Sequence, residues 1–153
     1  MRLIVAGGRE FNNYKFLSKK LDRILSNTKG PITIISGGAL GADKLGEDYA
    51  EDNDLSIVRM PAEWGKYGKS AGYKRNKQMA EIATHCVCFW DGESKGTKHM
   101  IDIAKAKGLP LRVVKYKKPK KKASEYFMGN PLDYDMNVWE NQITAYDLGY
   151  DWG

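Results

Sequence analysis

The chain has 153 residues, of which 42% are hydrophobic, and it carries a formal net charge of +6. This size suits one globular domain with an appendage, and no apolar run approaches the roughly 20 residues of a membrane-spanning helix. The first residues already resemble a strand rather than a signal peptide, and the two cysteines, Cys86 and Cys88, lack companions at metal-ligand spacing. We therefore expect a cytoplasmic protein with buried free thiols, no metal, no cofactor and no membrane contact.

The charge is unevenly distributed along the chain. Residues 1–116 carry 20 Lys and Arg against 13 Asp and Glu, residues 117–122 include five lysines, and residues 123–153 contain six acids and no Lys or Arg. A basic body attracts phosphates, either on a nucleotide or on a nucleic acid. The acidic tail argues against one continuous nucleic-acid surface, so nucleic acid is the less favoured partner.

The first predicted strand, residues 3–6, ends in Gly7, Gly8 and Arg9. Arg9 at this turn would meet a phosphate or carboxylate of a ligand, or else pair with a structural acid, and we favour the ligand. Asn12 or Asn13 is expected to cap a helix over residues 14–26, whose apolar residues recur at helical spacing.

The second strand, residues 32–35, leads into a glycine-rich turn and then a helix over residues 44–53. We favour a phosphate cradle here over a turn that needs glycine only for its geometry. Its residues are Ser36, Gly37, Gly38, Ala39, Gly41, Ala42 and Asp43. The turn fits neither a Walker A loop nor the Gly-x-Gly-x-x-Gly fingerprint. Asp43 and Glu47 would either cap backbone amides or face the ligand, and for Glu47 we favour capping.

A third strand over residues 56–60 precedes a long basic loop over residues 62–72. In this loop Trp64 and Tyr67 would stack on a base or pack onto the body, and packing is favoured. A helix over residues 73–83 follows, with Met79, Ile82 and Ala83 expected to point inward. Arg75 and Asn76 fall in its first turns, where a cation gains nothing from the helix dipole, so an anion nearby would explain them.

The fourth strand, residues 86–90, ends in a third polar glycine turn. Its candidate ligand-binding residues are Asp91, Gly92, Ser94, Gly96 and Thr97. A helix over residues 98–107 and a fifth strand over residues 109–114 complete the pattern.

Alternating strands and helices predict an α/β fold, a Rossmann-like parallel sheet of about five strands with flanking helices, plus a C-terminal extension. The domain would span residues 1–116, followed by a lysine-rich linker, 117–122, and an acidic, aromatic tail, 123–153. We expect this tail to dock on the body, a second subunit or a partner. Because loops after parallel strands meet at one edge, the three glycine turns should converge on a phosphorylated ligand.

Five motifs in this order resemble the YspA/YpsA-related branch of the SLOG superfamily, which also holds the LOG phosphoribohydrolases and DprA. They are Val5-Ala6-Gly7-Gly8-Arg9, Ser36-Gly37-Gly38-Ala39-x-Gly41-Ala42-Asp43, Pro61-Ala62-x-Trp64, Arg75-Asn76-x-x-Met79-Ala80 and Phe89-Trp90-Asp91-Gly92-x-Ser94-x-Gly96-Thr97. The resemblance covers roughly residues 1–116 and implies a nucleotide-binding domain, with a homo-oligomer expected from the LOG relatives.

The resemblance implies three functions. The first is binding of a nucleotide or nucleotide-derived phosphorylated small molecule, as a sensor or sequestering protein. The second is LOG-type phosphoribohydrolysis of a nucleoside monophosphate, an N-glycosidic hydrolase activity in which Arg75 matches the catalytic arginine. The LOG glutamate position falls on Met100, beside His99, so this activity would need Asp91 or Glu47 as a substitute. The third is DprA-like binding of single-stranded nucleic acid.

Overall fold

The computed structural model describes residues 1–117, so the predicted tail and all but the first residue of the predicted linker lie outside the described residues. Strands and helices alternate along the described chain. The elements are β1 (Arg2–Gly7), α1 (Tyr14–Leu25), β2 (Thr33–Ser36), α2 (Ala42–Asp52), β3 (Ser56–Arg59), α3 (Trp64–Tyr67), α4 (Ala71–Ile82), β4 (His85–Trp90), α5 (Lys95–Ala106) and β5 (Leu111–Lys115).

The five strands form one parallel sheet in the order β3-β2-β1-β4-β5, which confirms the predicted Rossmann-like α/β fold. Ile4 on β1 lies opposite Ile35 on β2 and opposite Cys86 on β4. The chain builds outward from β1 in one direction through β3 and then in the other direction through β4 and β5. The order therefore reverses between β1 and β4, and the crevice at such a reversal is where open parallel sheets bind ligands.

Each face of the sheet has its own apolar core, because side chains alternate along a strand. Leu3 and Val5 of β1 pack with the buried residues of α1 and α2. Ile4 and Ala6 pack on the other face with those of α4 and α5. The two cysteines of β4 lie on this second face, fully buried and free, with their Sγ atoms 3.7 Å apart, as the sequence predicts.

Local sequence signals explain the helix ends that were predicted well. Asn13 caps α1 by accepting a hydrogen bond from the Phe16 amide at 3.0 Å. Gly108, at φ +72°, ends the segment of α5 in the left-handed conformation that glycine adopts without strain. None of the helices within residues 1–117 is long and apolar enough to cross a membrane.

The segment predicted as a long loop is instead mostly helical. It contains α3 and a 3-10 turn over Gly68–Ser70, and α4 begins at Ala71, two residues earlier than predicted. The Lys66 and Tyr67 amides of α3 donate to the Glu63 carbonyl, both at 3.0 Å, and the Ser70 hydroxyl donates to the Tyr67 carbonyl at 3.0 Å. These local bonds stabilise turns whose glycine content suggested a loop.

The inward face of α4 also differs from the prediction. Met79 and Ala83 are buried as expected, but Ile82 is 38% exposed and the amide side chain of Asn76 is buried instead. The stripe formed by Asn76, Met79 and Ala83 faces the sheet, and Ile82 lies beside it. A polar residue therefore occupies a position that hydrophobic periodicity assigns to an apolar one.

Candidate functional site

A cleft of about 490 Å³ opens at the carboxyl ends of β1 and β4, at the point where the strand order reverses. Its lining comes from the turns after β1, β2 and β4, from α3 and α4, and from the end of β5. The residues are Ala6, Gly7, Gly8, Arg9, Glu10, Ala39, Asp43, Trp64, Lys69, Gly72, Tyr73, Arg75, Asn76, Met79, Asp91, Glu93, Ser94, Gly96, Thr97, Met100 and Tyr116. The predicted convergence of the glycine turns is thus observed.

The turn after β1 is packed tightly against its neighbours. The Gly8 amide donates to the Phe89 carbonyl at 3.2 Å, and the Gly8 carbonyl accepts from the Ala42 amide at 3.2 Å. A Cβ on Gly8 would lie 2.1 Å from the hydroxyl oxygen of Tyr116, so only glycine fits here. The guanidinium of Arg9 lies 5.9 Å from the ring centre of Trp64, at the rim of the cleft.

In the turn after β2, which was predicted as the phosphate cradle, side chains of the same segment accept hydrogen bonds from the backbone amides. The Gly38 amide donates to the Ser36 hydroxyl at 3.0 Å, and the Ala39 amide donates to the Asp43 carboxylate at 3.2 Å. The Ala42 amide is held by Gly8, as described above. A bound phosphate would have to displace these acceptors, so this turn is a less favourable anion site than its sequence indicates.

Glu47 neither caps α2 nor faces the cleft. It is 6% exposed, accepts a hydrogen bond from the Ser36 hydroxyl at 2.6 Å and another from Arg59 Nε at 2.7 Å. The expected capping role was therefore wrong, and Glu47 lies outside the cleft lining. Its carboxylate joins β2 and β3 to α2 from inside the fold.

Asp43 and Arg75 form the charged floor of the cleft. The Arg75 guanidinium donates to the Gly37 carbonyl, and its Nε donates to Asn76 Oδ1 at 3.1 Å. Burial raises the pKa of Asp43 to about 6, although the Ala39 amide and the Arg75 charge act in the opposite direction. Burial also lowers the pKa of Arg75. The pair gives the cleft one fixed cation beside one carboxyl group that titrates near neutrality.

Asn76 connects α4 to α5. Its Nδ2 donates to the Gly96 carbonyl at 3.3 Å and lies 3.1 Å from His99 Nδ1. The His99 ring contacts the Tyr73 ring, with centroids 4.3 Å apart. Asn76 thus positions the first turn of α5 and the aromatic side of the cleft.

The first turn of α5 opens into the cleft. Asp91 Oδ1 accepts from the Glu93 and Ser94 amides, both at 2.8 Å, and the Ser94 hydroxyl caps α5 by accepting from the Thr97 amide at 3.4 Å. A Cβ on Gly96 would meet no atom within 4 Å. This turn therefore combines the positive end of a 12-residue helix with open space for a ligand.

The sequence analysis missed several lining residues, which include Glu10, Lys69, Tyr73, Glu93 and Tyr116. Tyr116 is the buried one among these five. It is 7% exposed, and its hydroxyl has no hydrogen-bond partner among residues 1–117. The sequence placed it only at the end of the domain, before the lysine run. An aromatic residue one position past a predicted strand was the available signal, but its approach to Gly8 depends on the tertiary fold.

The predicted site residues divide into two groups. Those that line the cleft are Gly7, Gly8, Arg9, Ala39, Asp43, Arg75, Asn76, Asp91, Ser94, Gly96 and Thr97. Those outside its lining are Ser36, Gly37, Gly38, Gly41, Ala42, Glu47 and Gly92. Trp64 also lines the cleft, whereas Tyr67 does not. Met100, at the LOG glutamate position, is buried and contributes an apolar wall, and Glu47 is committed elsewhere.

Comparisons with known proteins agree with the motifs and the fold. Residues 1–67 match the model of the YspA, cpYpsA-related SLOG family, which confirms the resemblance over this part of the chain. The chain is 28% identical over 116 residues to the Gene 61 protein of Mycobacterium phage D29, covering 72% of this chain and 93% of that protein.

The fold is similar to that of DNA processing protein A from Helicobacter pylori, a structure described for its single-stranded DNA binding mode. The TM-score is 0.53 at 17% sequence identity, and the match covers 99% of this chain and 82% of the other. At this identity the likeness concerns the fold alone.

Proposed function

We propose that this relative of the YspA/YpsA-related branch of the SLOG superfamily binds a nucleotide or a nucleotide-derived phosphorylated ligand in the cleft, as a sensor or sequestering protein. The observation that carries the proposal is the open first turn of α5, which lines one cleft together with Arg9 and Arg75. The cleft volume of about 490 Å³ lies within the range of roughly 300–1,000 Å³ typical of small-molecule sites.

The phosphate is best accommodated at the start of α5 rather than at the turn after β2. At α5 the helix dipole favours an anion and Gly96 leaves room for one. At the turn after β2 the space is filled, because a Cβ on Gly37 would lie 2.5 Å from the Arg75 guanidinium and one on Gly41 would lie 2.2 Å from the Gly8 carbonyl oxygen. Arg9 and Arg75 add positive charge to the same cleft. These groups line one cleft, so together they favour a negatively charged ligand there.

The base would lie against the aromatic rim. Trp64 is 49% exposed and Tyr73 is 45% exposed, and both line the cleft. Exposed rings beside a phosphate site offer a stacking surface that is worth about 1–3 kcal/mol per base. The rim therefore supports a ligand with a planar base, rather than inorganic phosphate alone.

Substitution at Gly96 tests this placement. Gly96→Leu adds a side chain whose Cβ meets no atom of the protein within 4 Å and which occupies space at the start of α5. We expect the variant to fold and to bind AMP, GMP, CMP or UMP at least about tenfold more weakly in isothermal titration calorimetry, because a buried ligand contact is lost.

Gly65→Leu is the matched control, because a Cβ on Gly65 also meets no atom and Gly65 lies outside the cleft lining. It should bind as the unaltered protein does. Equal affinity of the Gly96 variant would contradict phosphate binding at α5, and absence of binding to all four nucleotides would contradict the proposed ligand class.

Single-stranded nucleic acid is the second candidate. The basic, aromatic surface of α3 and α4 favours it, with Lys66 Nζ 5.1 Å and Lys74 Nζ 4.8 Å from the ring centre of Tyr67. Lys69 and Lys77 lie in the same segment, and Lys69 lines the cleft. The fold likeness to a DNA processing protein is consistent with this candidate. It differs from the first by requiring a strand longer than one nucleotide.

A further inference from the structure

We propose that Tyr116 is a ligand-binding residue whose hydroxyl donates a hydrogen bond to a sugar hydroxyl of the nucleotide. This inference rests on the proposed function and deepens it by naming the group that distinguishes one sugar from another. It assigns a role to a side chain that no motif of the sequence identifies.

The first step is the state of the hydroxyl. Tyr116 is 7% exposed and lines the cleft, yet its oxygen is fully buried without a hydrogen-bond partner among residues 1–117. The great majority of buried polar groups in folded proteins are hydrogen-bonded, so an unpaired one at the wall of a cleft indicates a partner that arrives with the ligand.

The second step is the precision with which the hydroxyl is held. The Tyr116 ring packs edge-on against Phe11, with centroids 4.7 Å apart, and the Tyr116 amide donates to the Trp90 carbonyl at 3.1 Å. The hydroxyl also lies against Gly8, where any side chain would collide with it. Packing therefore holds the ring beside the cleft. The hydroxyl has no exposed surface in the unliganded protein, so a ligand contacts it when the adjoining Gly8 turn shifts.

The third step is the chemistry of the partner. Burial raises the pKa of the Tyr116 hydroxyl, and the negative charges of Asp91 and Glu10 raise it further, so the group remains a proton donor. The phosphate is assigned to the start of α5, so the partner of Tyr116 is another polar group of the ligand. A sugar hydroxyl can accept from Tyr116 and donate to a carboxylate, so it fits both neighbours.

The test compares the unaltered protein with Tyr116→Phe against three forms of one nucleotide. The probe is whichever of AMP, GMP, CMP and UMP binds most tightly, together with its 2′-deoxy and 3′-deoxy analogues. Tyr116→Phe should weaken binding of the ribonucleotide about five- to tenfold, the usual contribution of one hydrogen bond. One of the two deoxy analogues lacks the sugar hydroxyl that bonds to Tyr116. For that analogue Tyr116→Phe should change affinity less than about twofold, because the hydrogen bond is already absent.

Thermal unfolding without ligand provides a second readout. Tyr49→Phe is the matched control, because Tyr49 is equally buried but donates to Asp22 Oδ1 at 2.7 Å and lies outside the cleft lining. Tyr49→Phe should lower the Tm and leave nucleotide affinity unchanged. Tyr116→Phe should leave the Tm unchanged or raise it, because it removes an unpaired buried polar group.

The outcomes separate this inference from the proposed function. Nucleotide binding that is the same in Tyr116→Phe, or that falls by the same factor for all three sugars, overturns the sugar contact and leaves the proposed function standing. A lower Tm for Tyr116→Phe also overturns it, because the hydroxyl would then have a partner within the protein. Absence of nucleotide binding by the unaltered protein overturns the proposed function and this inference with it.

Discussion

At the scale of single residues, Asp43 couples the fold to pH. Its carboxyl group is 5% exposed, and its pKa is raised to about 6 from the ordinary value of 3.8. A raised pKa means that the folded chain holds this proton more tightly than the unfolded chain does. The contribution to the free energy of unfolding is therefore fully present below about pH 4 and is lost as the pH rises through about 6.

We predict that Asp43→Asn removes this pH dependence. The difference of about two pH units corresponds to roughly 3 kcal/mol, and asparagine retains an oxygen that can accept from the Ala39 amide. Urea unfolding at pH 4 and pH 7.5 should show that the unaltered protein loses up to roughly 3 kcal/mol more than the variant over this interval. The same loss in both proteins would mean that Asp43 does not titrate in this range.

Residues of the cleft were predictable to different degrees. Gly8, Arg9, Arg75 and Gly96 follow strands or belong to ordered motifs, so the rule that loops gather at one edge of a parallel sheet brings them together. Tyr116 could not be assigned in this way, because it packs against Gly8, which is more than 100 positions away in the sequence. The internal acceptors of Gly38 and Ala39 were likewise invisible without the folded turn.

At the scale of elements, α2 is attached to the sheet by a buried polar contact. Glu47 joins the Ser36 hydroxyl on β2 and the Arg59 guanidinium on β3, while Arg59 itself is about half exposed. Removal of the carboxylate leaves the buried Ser36 hydroxyl with only the distant Asp43 carbonyl, at 3.4 Å, as acceptor, which is more costly than loss of an exposed ion pair. The fold therefore depends on Glu47 even though the cleft does not.

We predict that Glu47→Ala lowers the free energy of unfolding by about 2–4 kcal/mol without changing nucleotide affinity, provided that the protein still folds. Urea denaturation followed by circular dichroism measures the first effect, and calorimetry measures the second. Glu51→Ala is the control, because Glu51 is exposed and lies 3.6 Å from Arg59 Nη2, so its loss should cost at most about 0.5 kcal/mol. A comparable loss for both variants would contradict the buried role.

Helix and strand positions were predicted well where apolar residues recur with a helical period, as in α1, or form a continuous apolar run, as in β4. The segment between β3 and α4 was not, because its turns are held by hydrogen bonds to carbonyl groups rather than by an apolar stripe. Hydrophobic periodicity also failed to predict that the polar side chain of Asn76 is buried. It is buried because it bonds to the α5 turn, which periodicity does not record.

At the scale of the whole molecule, the fold class followed from the alternation of elements, but the strand order did not. Neither the composition nor the hydrophobic periodicity of the sequence shows that β1 lies in the middle of the sheet, and the position of the cleft depends on that placement.

The net charge of the body also bears on its partners. Residues 1–116 carry 20 basic against 13 acidic side chains, enough to attract a polyanion.

We predict that any single-stranded DNA binding weakens steeply with salt, because each released counterion contributes to the slope. A labelled oligothymidine, measured by fluorescence anisotropy at low and physiological salt, gives this slope. Lys74→Ala with Lys77→Ala should weaken binding and reduce the slope by roughly one to two, whereas Lys98→Ala, which removes a pair with Asp102 on α5, should not. Absence of binding at low salt would exclude the nucleic-acid candidate.

The two cysteines of β4 give the molecule an internal reporter of unfolding. Both thiols are fully shielded from water on a strand that is paired on both sides, so a thiol-specific reagent reaches them only when the sheet opens. The rate of labelling then measures how often β4 separates from its neighbours β1 and β5. A ligand in the cleft at the end of β4 stabilises the closed sheet. Its binding would therefore slow the labelling of the Cys86 and Cys88 thiols, although it contacts neither.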